Sequence, residues 1–235
     1  MQRPRPIAAV VSVWSLWAWV AACGSGDGSD PTAGTGSAGG NPLSVSFEAQ
    51  EDPDQDDLVE WGQPSLRAST QRLGVEQDGD CVLQPEAQPI ERPLPFGRGA
   101  QLELSAPYPC AVELRAAQGE ALFGLPLRLG ELDVDLGPKR LVGVILRLER
   151  PELLEQSQAV FVVLDLGELL EGIQPDMIAA WLAQGGQDDN WQEALAQNLG
   201  RALKLHIDPT PDDGQLTRDA RTPDTELGGV ELLLD

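Results

Sequence analysis

Between Leu43 and Leu166 the chain consists of short runs in which leucine and β-branched residues alternate with polar ones, each run broken by glycine or proline. A period of two sends successive side chains to opposite faces, so each run is a half-buried strand that needs a second layer to cover it. Within Arg140–Glu149, Val142, Val144, Leu146 and Leu148 share one face while Arg147 and Glu149 point to the other, as in an antiparallel strand with one wet side. The same reading places strands at Leu43–Phe47, Leu66–Leu73, Leu102–Leu104, Ala111–Leu114, Leu125–Leu136 and Ala159–Leu166, with a last one in Gly229–Leu234. Pro107, Pro109, Pro126 and Pro138 fall near run ends, where a missing amide donor costs least.

After Leu166 the period lengthens. Gln174-Pro175-Asp176 opens a stretch in which Met177, Ile178, Trp181 and Leu182 lie on one helical face, with Pro175 in the first turn and Gly185-Gly186 as the stop. Asn190, with Glu193 three residues on, forms a capping box ahead of Leu195, Leu199 and Leu203. The expected fold is mainly β, an antiparallel β-sandwich with a short two-helix segment near the C-terminus. It occupies a single acidic domain over residues 43–235, long enough for its own core.

The first 22 residues read as a secretory signal. Arg3 and Arg5 precede an uncharged apolar stretch from Ile7 to Val20, shorter than the roughly 20 apolar residues that span a bilayer comfortably. Three of the six tryptophans, Trp14, Trp17 and Trp19, belong to it and are set aside from any binding site. The run Val20-Ala21-Ala22-Cys23 resembles the lipobox of bacterial lipoproteins. That resemblance implies cleavage before Cys23, a diacylglycerol on its thiol and a membrane attachment through the lipid. Residues 23–42 follow as an acylated cysteine and a Gly/Ser-rich tether without apolar periodicity, reaching about 25 Å as a coil. Gly24 is not the aspartate that retains lipoproteins at the inner membrane of enteric bacteria, so the expected location is the cell envelope, at the outer membrane.

Charge narrows the partners. Of 16 basic residues, removal of Arg3 and Arg5 leaves 14 against 38 acidic ones, a net −24. Nucleic acid is excluded as an expected partner, because counterion release needs clustered Lys and Arg. Anionic headgroups would repel the domain, and acidity of this degree keeps a surface domain soluble. Cys81 and Cys110 lie in the exported part, where no glutathione pool reduces thiols, and a disulfide between them is expected; two buried free thiols are the alternative.

The inventory of reactive groups argues against an enzyme. His206 is the only histidine, no G-x-S-x-G elbow surrounds a serine, and neither a phosphate-binding loop nor a dinucleotide fingerprint is present. His206 reads as a cation just past a helix C-terminus. Trp181 and Trp191 sit on apolar helical faces and belong to the core, which leaves Trp61 and Tyr108 as aromatic surfaces for a carbohydrate. No resident cofactor is expected, with calcium as the exception to weigh. In the segment from Asp208 to Asp219, oxygens recur at Asp208, Thr210, Asp212, Asp213 and Asp219, as in calcium loops. An EF-hand has glycine sixth and glutamate twelfth, whereas here Asp213 is sixth and Asp219 twelfth, and Pro209 and Pro211 stiffen the turn. The acidic run Asp52–Asp57 reads as a charged hairpin tip.

Taken with the lipobox and tether, several segments carry a family resemblance: Pro109-Cys110-Ala111-Val112-Glu113-Leu114, Val162-Val163-Leu164-Asp165-Leu166 running into a helix, Asn198-Leu199 with Leu203, and the Asp208–Gly214 loop. The chain resembles the uncharacterised lipoproteins of myxobacteria and related deltaproteobacteria that carry a β-sandwich domain. In such relatives the last loop looks like a fuller D-x-D-x-D-G, of which Asp208–Gly214 is a degenerate copy. The resemblance implies a location and an architecture but no activity. The expected role is that of a non-enzymatic envelope lipoprotein that binds or spaces a protein or surface polymer. The alternative is a calcium-dependent or carbohydrate-binding surface module.

Overall fold

The computed structural model describes residues 43–50, 60–97, 100–104, 109–150, 153–154, 159–183, 189–207 and 226–235. The strands, in chain order, are β1 (Leu43–Gln50), β2 (Glu60–Trp61), β3 (Ser65–Leu66), β4 (Ala68–Gln77), β5 (Asp80–Leu83), β6 (Gln88–Pro89), β7 (Leu94–Pro95), β8 (Gln101–Leu104), β9 (Ala111–Ala116), β10 (Phe123–Leu129), β11 (Leu132–Leu136), β12 (Leu141–Arg147) and β13 (Ala159–Asp165). Three helices follow, α1 (Leu166–Leu169), α2 (Pro175–Ala183) and α3 (Asp189–Ala202), and then β14 (Leu203–Ile207), β15 (Glu226–Gly228) and β16 (Val230–Leu234). The fold is mainly β, as the alternation requires.

Among the described residues the strands form three sheets. One runs β15-β14-β13-β1-β8, one runs β11-β10-β3-β7 with β2 also on β10, and the largest runs β16-β12-β9-β4-β5 with β6 also on β4. Almost every pairing is antiparallel, but β1 and β13 run parallel, Val45 beside Val160 and Phe47 beside Val162. A parallel neighbour needs a long connection, and here more than half the domain separates the two strands in sequence. One shared core gathers the inward faces: Val45, Phe47, Leu66, Leu104, Leu114, Phe123, Leu125, Val144, Val162 and Leu205 all belong to it. Phe47, Phe96 and Phe123 meet there edge to face, at 5.8 and 6.4 Å between ring centroids.

Local chemistry explains where elements end. Leu125–Leu136, expected as one strand, is a hairpin: Leu129 pairs with Leu132 and Gly130 takes a φ of 61° in the two-residue turn. Asp78-Gly79, both at positive φ, turns β4 into β5 in the same way. Pro126 lies inside β10 and not at a run end. Its carbonyl accepts from the Gly62 amide at 2.7 Å, so its missing donor faces the break between β2 and β3, where no ladder bond is lost. In β12 a bulge between Leu141 and Gly143 shifts the phase, so that Leu141 is fully buried and Val142 only half-buried.

The helices correct the sequence reading at both ends. Met177 is 46% exposed, leaving Ile178 and Trp181 as the buried face of α2. Asn190 lies within α3, which starts at Asp189, so it is not the residue before the helix. Leu203 is not helical: α3 stops at Ala202 and Leu203, Leu205 and Ile207 alternate inward in β14. No described helix is long and apolar enough to cross a membrane.

Candidate functional site

Cys81 and Cys110 form the expected disulfide. The bridge joins β5 to the residue before β9, and both of those strands pair with β4, so the sulfurs pass over β4 at Gly74. Only a glycine fits beneath. A Cβ at Gly74 would come within 2.9 Å of the Cys81 Sγ and 3.0 Å of the Ala111 Cβ, while the Gly74 carbonyl accepts from the Cys110 amide at 3.0 Å.

On the opposite face of the same sheet from the core, Glu113 of β9 is 1% exposed between two arginines. Its Oε2 accepts from Arg72 on β4, and its Oε1 accepts from Arg115 Nε at 2.5 Å. Burial pushes the Glu113 carboxyl up, but the hydrogen bonds and charges of Arg72 and Arg115 outweigh it and hold the group below the usual carboxylate range. The same contact pushes Arg72 further up. One buried acid flanked by two half-wet bases is a cross-strand clasp: it offers no proton in the neutral range, so it suits no acid–base step.

The α-helical corner is tied together by Asn198 on α3, 6% exposed, whose Nδ2 donates to the Leu169 carbonyl at 3.0 Å and the Glu171 carbonyl at 2.9 Å. The first is the carbonyl of the last residue of α1, which has no helical partner, and the second lies two residues past that helix end. Asp165 caps the other end, accepting from the Glu168 amide at 3.1 Å. Trp181 and Trp191 are core residues, as their positions in the helices imply, stacked at 4.8 Å between centroids. His206 sits in β14, four residues beyond α3 and 6% exposed, opposite Phe161 and Glu226. A helix dipole fades within its last turn, so the structure replaces the expected dipole role with that of a buried strand residue.

Two of the grooves among the described residues bear on a candidate site. The first, about 540 Å³, is lined by Glu60, Trp61, Arg67, Pro126, Arg128 and Asp135, among others. Trp61 is directly opposite Leu127, a core residue, so the two side chains share the inward face and the indole packs on the core. The outward face of this groove carries the Arg67–Asp135 and Arg128–Asp133 ion pairs and no aromatic platform. The second groove, also about 540 Å³, lies between β8 and the proline-rich segment from Pro89 to Pro95.

Several expectations fall outside the described residues: the signal at 1–22, Cys23 and the tether to residue 42, the Asp52–Asp57 tip, Tyr108, and the loop bearing Asp208, Thr210, Asp212, Asp213 and Asp219. Among the described residues no cluster of three or more His, Cys, Asp or Glu side chains is placed to hold a metal. The proline-lined groove and the Glu113 clasp went unread in the sequence, although the density of proline from 85 to 95 was a visible signal for the first. No protein-family model matches the chain, and neither a curated protein nor a solved structure proves similar to it.

Proposed function

We propose that this chain is a non-enzymatic lipoprotein of the bacterial envelope, anchored by an acylated Cys23 and holding an acidic β domain off the outer membrane to bind or space a partner. The observation that carries this reading is the run Val20-Ala21-Ala22-Cys23 behind an Arg-led apolar stretch and ahead of a Gly/Ser tether. The Cys81–Cys110 bridge supports it, since such bonds persist outside the reducing cytosol. The resemblance to myxobacterial lipoproteins belongs to the same proposal. The only histidine is buried in a strand and, among the described residues, the one buried carboxylate is clasped by arginines, which favours binding over chemistry.

Metabolic labelling with a fatty-acid analogue tests the reading. The wild-type chain takes up label and fractionates with the outer membrane, and Cys23→Ser loses both. Native protein that retains Met1 and stays in the cytosol would overturn it.

A second reading, calcium binding, rests on the oxygens of Asp208, Thr210, Asp212, Asp213 and Asp219 at near-alternate spacing. Ligand at 100 times its Kd stabilises a fold by about 2.7 kcal/mol. The melting midpoint in calcium, compared with chelator, therefore rises by several degrees if the loop binds, and an unchanged midpoint removes calcium from the proposal.

A further inference from the structure

Among the described residues β8 has no strand on its outer side: it ends its sheet, pairing with β1 alone. The Ala100 carbonyl accepts from the Phe47 amide, and Leu102 and Leu104 lie opposite Val45 and Leu43. In an antiparallel ladder the amides and carbonyls of alternate residues face opposite ways, so those of Gln101 and Glu103 point outward. Gln101 lines the second groove, which has the Pro89–Pro95 segment as its far wall. Pro89, Pro93 and Pro95 have no amide hydrogen, so that wall cannot zip onto β8, and the groove stays about 540 Å³ in volume. Ile90, Leu94 and Leu102 line it between the two walls.

An unpaired strand edge is usually blunted by charge, proline, a covering loop or a very short strand. Three of the five other sheet edges among the described residues show such devices: Asp133 and Asp135 on β11, Pro95 on a two-residue β7, and the disulfide on β5. β8 has Gln101 and Glu103 exposed, and Gln101 faces a groove that another strand could occupy.

We propose that β8 receives an extended, basic peptide segment of a partner protein as an added strand, lying in this groove. Main-chain hydrogen bonds to Gln101 and Glu103 hold it, and alternate apolar side chains enter between Ile90 and Leu102. Its charge follows from the exposed Glu103 on the same strand edge and from Glu91, which lines the groove beside Arg92, in a chain of formal charge −22. This inference deepens the binding role proposed above and shares its premise that the domain has a partner.

The test uses the full chain in detergent and a fluorescent peptide of about eight residues alternating valine and lysine, followed by polarisation. Binding is expected for the wild type and is at least tenfold weaker for Gln101→Pro, which deletes an outward amide and leaves the β1 ladder intact. Gln101→Val, with the same charge and an intact amide, binds as the wild type does. Equal binding by Gln101→Pro, or equal binding of a valine–glutamate peptide, overturns the proposal. Should Gln101→Pro melt early, amide exchange on the wild type decides: Gln101 and Glu103 gain protection when peptide is added, and unchanged exchange sinks the idea. Fatty-acid labelling of Cys23 is independent of all these readouts, so a failed anchor and a failed groove are told apart.

Discussion

The Cys81 sulfur lies over Gly74, so near that a single added carbon at Gly74 would sit 2.9 Å from it. The bridge crosses β4 only because that position has no side chain. Gly74→Ala is expected to cost about 1–3 kcal/mol, the range for forcing extra volume into a packed site. In a Cys81→Ala/Cys110→Ala background the same change costs less, because the alanine then meets only Ala111. Urea unfolding of the four variants gives the coupling directly, and strictly additive losses would show that the sulfur is not the obstacle.

Removing the bridge has its own consequence. The cysteines are 29 residues apart in sequence, and closing a loop of that size stabilises a fold by about 3.6 kcal/mol in the chain-entropy picture. The midpoint of urea unfolding of Cys81→Ala/Cys110→Ala is expected to fall accordingly. A thiol reagent applied to the unfolded exported domain without reductant should find neither cysteine, and uptake at either one would contradict the bridge.

Glu113 sets an acid limb. Its folded pKa lies below the ordinary carboxylate value, so the clasp contributes in full above about 4.3, the unfolded value, and its contribution is lost as the pH falls through the lower folded value. Glu113→Gln keeps the shape and removes the charge. At pH 7 it should cost about 1–3 kcal/mol, the scale of charge-assisted hydrogen bonds lost in a buried site. The gap between wild type and variant should then narrow as unfolding is measured at successively lower pH. A gap that stays constant down to pH 2 would assign the loss to packing.

Where the strands lie was legible because alternation is a local signal, and β9, β12 and β13 match their runs closely. What alternation cannot convey is which strand lies next to which. Nothing local in Leu43–Phe47 or Ala159–Leu166 marks them as parallel partners, since their pairing depends on everything folded between them. The turn at Asp78-Gly79 was available as the strongest short-range hairpin signal, yet β5 is exposed on most of its length and shows no apolar face to read. Leu203 satisfies a helical and a strand period equally well, and the sheet decided it because Leu205 and Ile207 continue inward. For the groove beside β8 only one wall left a sequence signal, the prolines of 89–95; its juxtaposition with 100–102 is set by the sheets on which the two segments end.

Asn198 makes a prediction about side-chain polarity inside the helical corner. Its amide is the donor for two carbonyls at the end of α1, and its Oδ1 accepts from Arg201 at 2.7 Å. Asn198→Leu fills the space and supplies no donor, so the Leu169 and Glu171 carbonyls lose their partner. A loss of about 1–3 kcal/mol is expected from thermal unfolding. Asn198→Asp should be no better, as a carboxylate cannot donate and would face the same carbonyls with a negative charge. An aspartate variant as stable as the wild type would mean that these bonds do not hold the corner.

The stacked tryptophans carry opposing contributions that two substitutions separate. Trp181 and Trp191 are 9% and 5% exposed, with planes 18° apart, yet neither indole N–H has a hydrogen-bond partner among the described residues. The pair therefore gains from burial and stacking, about 0.5–1.5 kcal/mol for the latter, while each unpaired donor costs about 1–3 kcal/mol in lost solvation. Trp181→Phe sacrifices area and removes one of those donors, so the two effects nearly cancel and stability should change by about 1 kcal/mol or less. Trp181→Ala keeps no ring against Trp191 and opens a cavity, with an expected loss of about 3–5 kcal/mol. If calorimetry finds the phenylalanine variant as damaged as the alanine one, the N–H of Trp181 must have an acceptor in solution, and α2 is held by that bond and not by the stack.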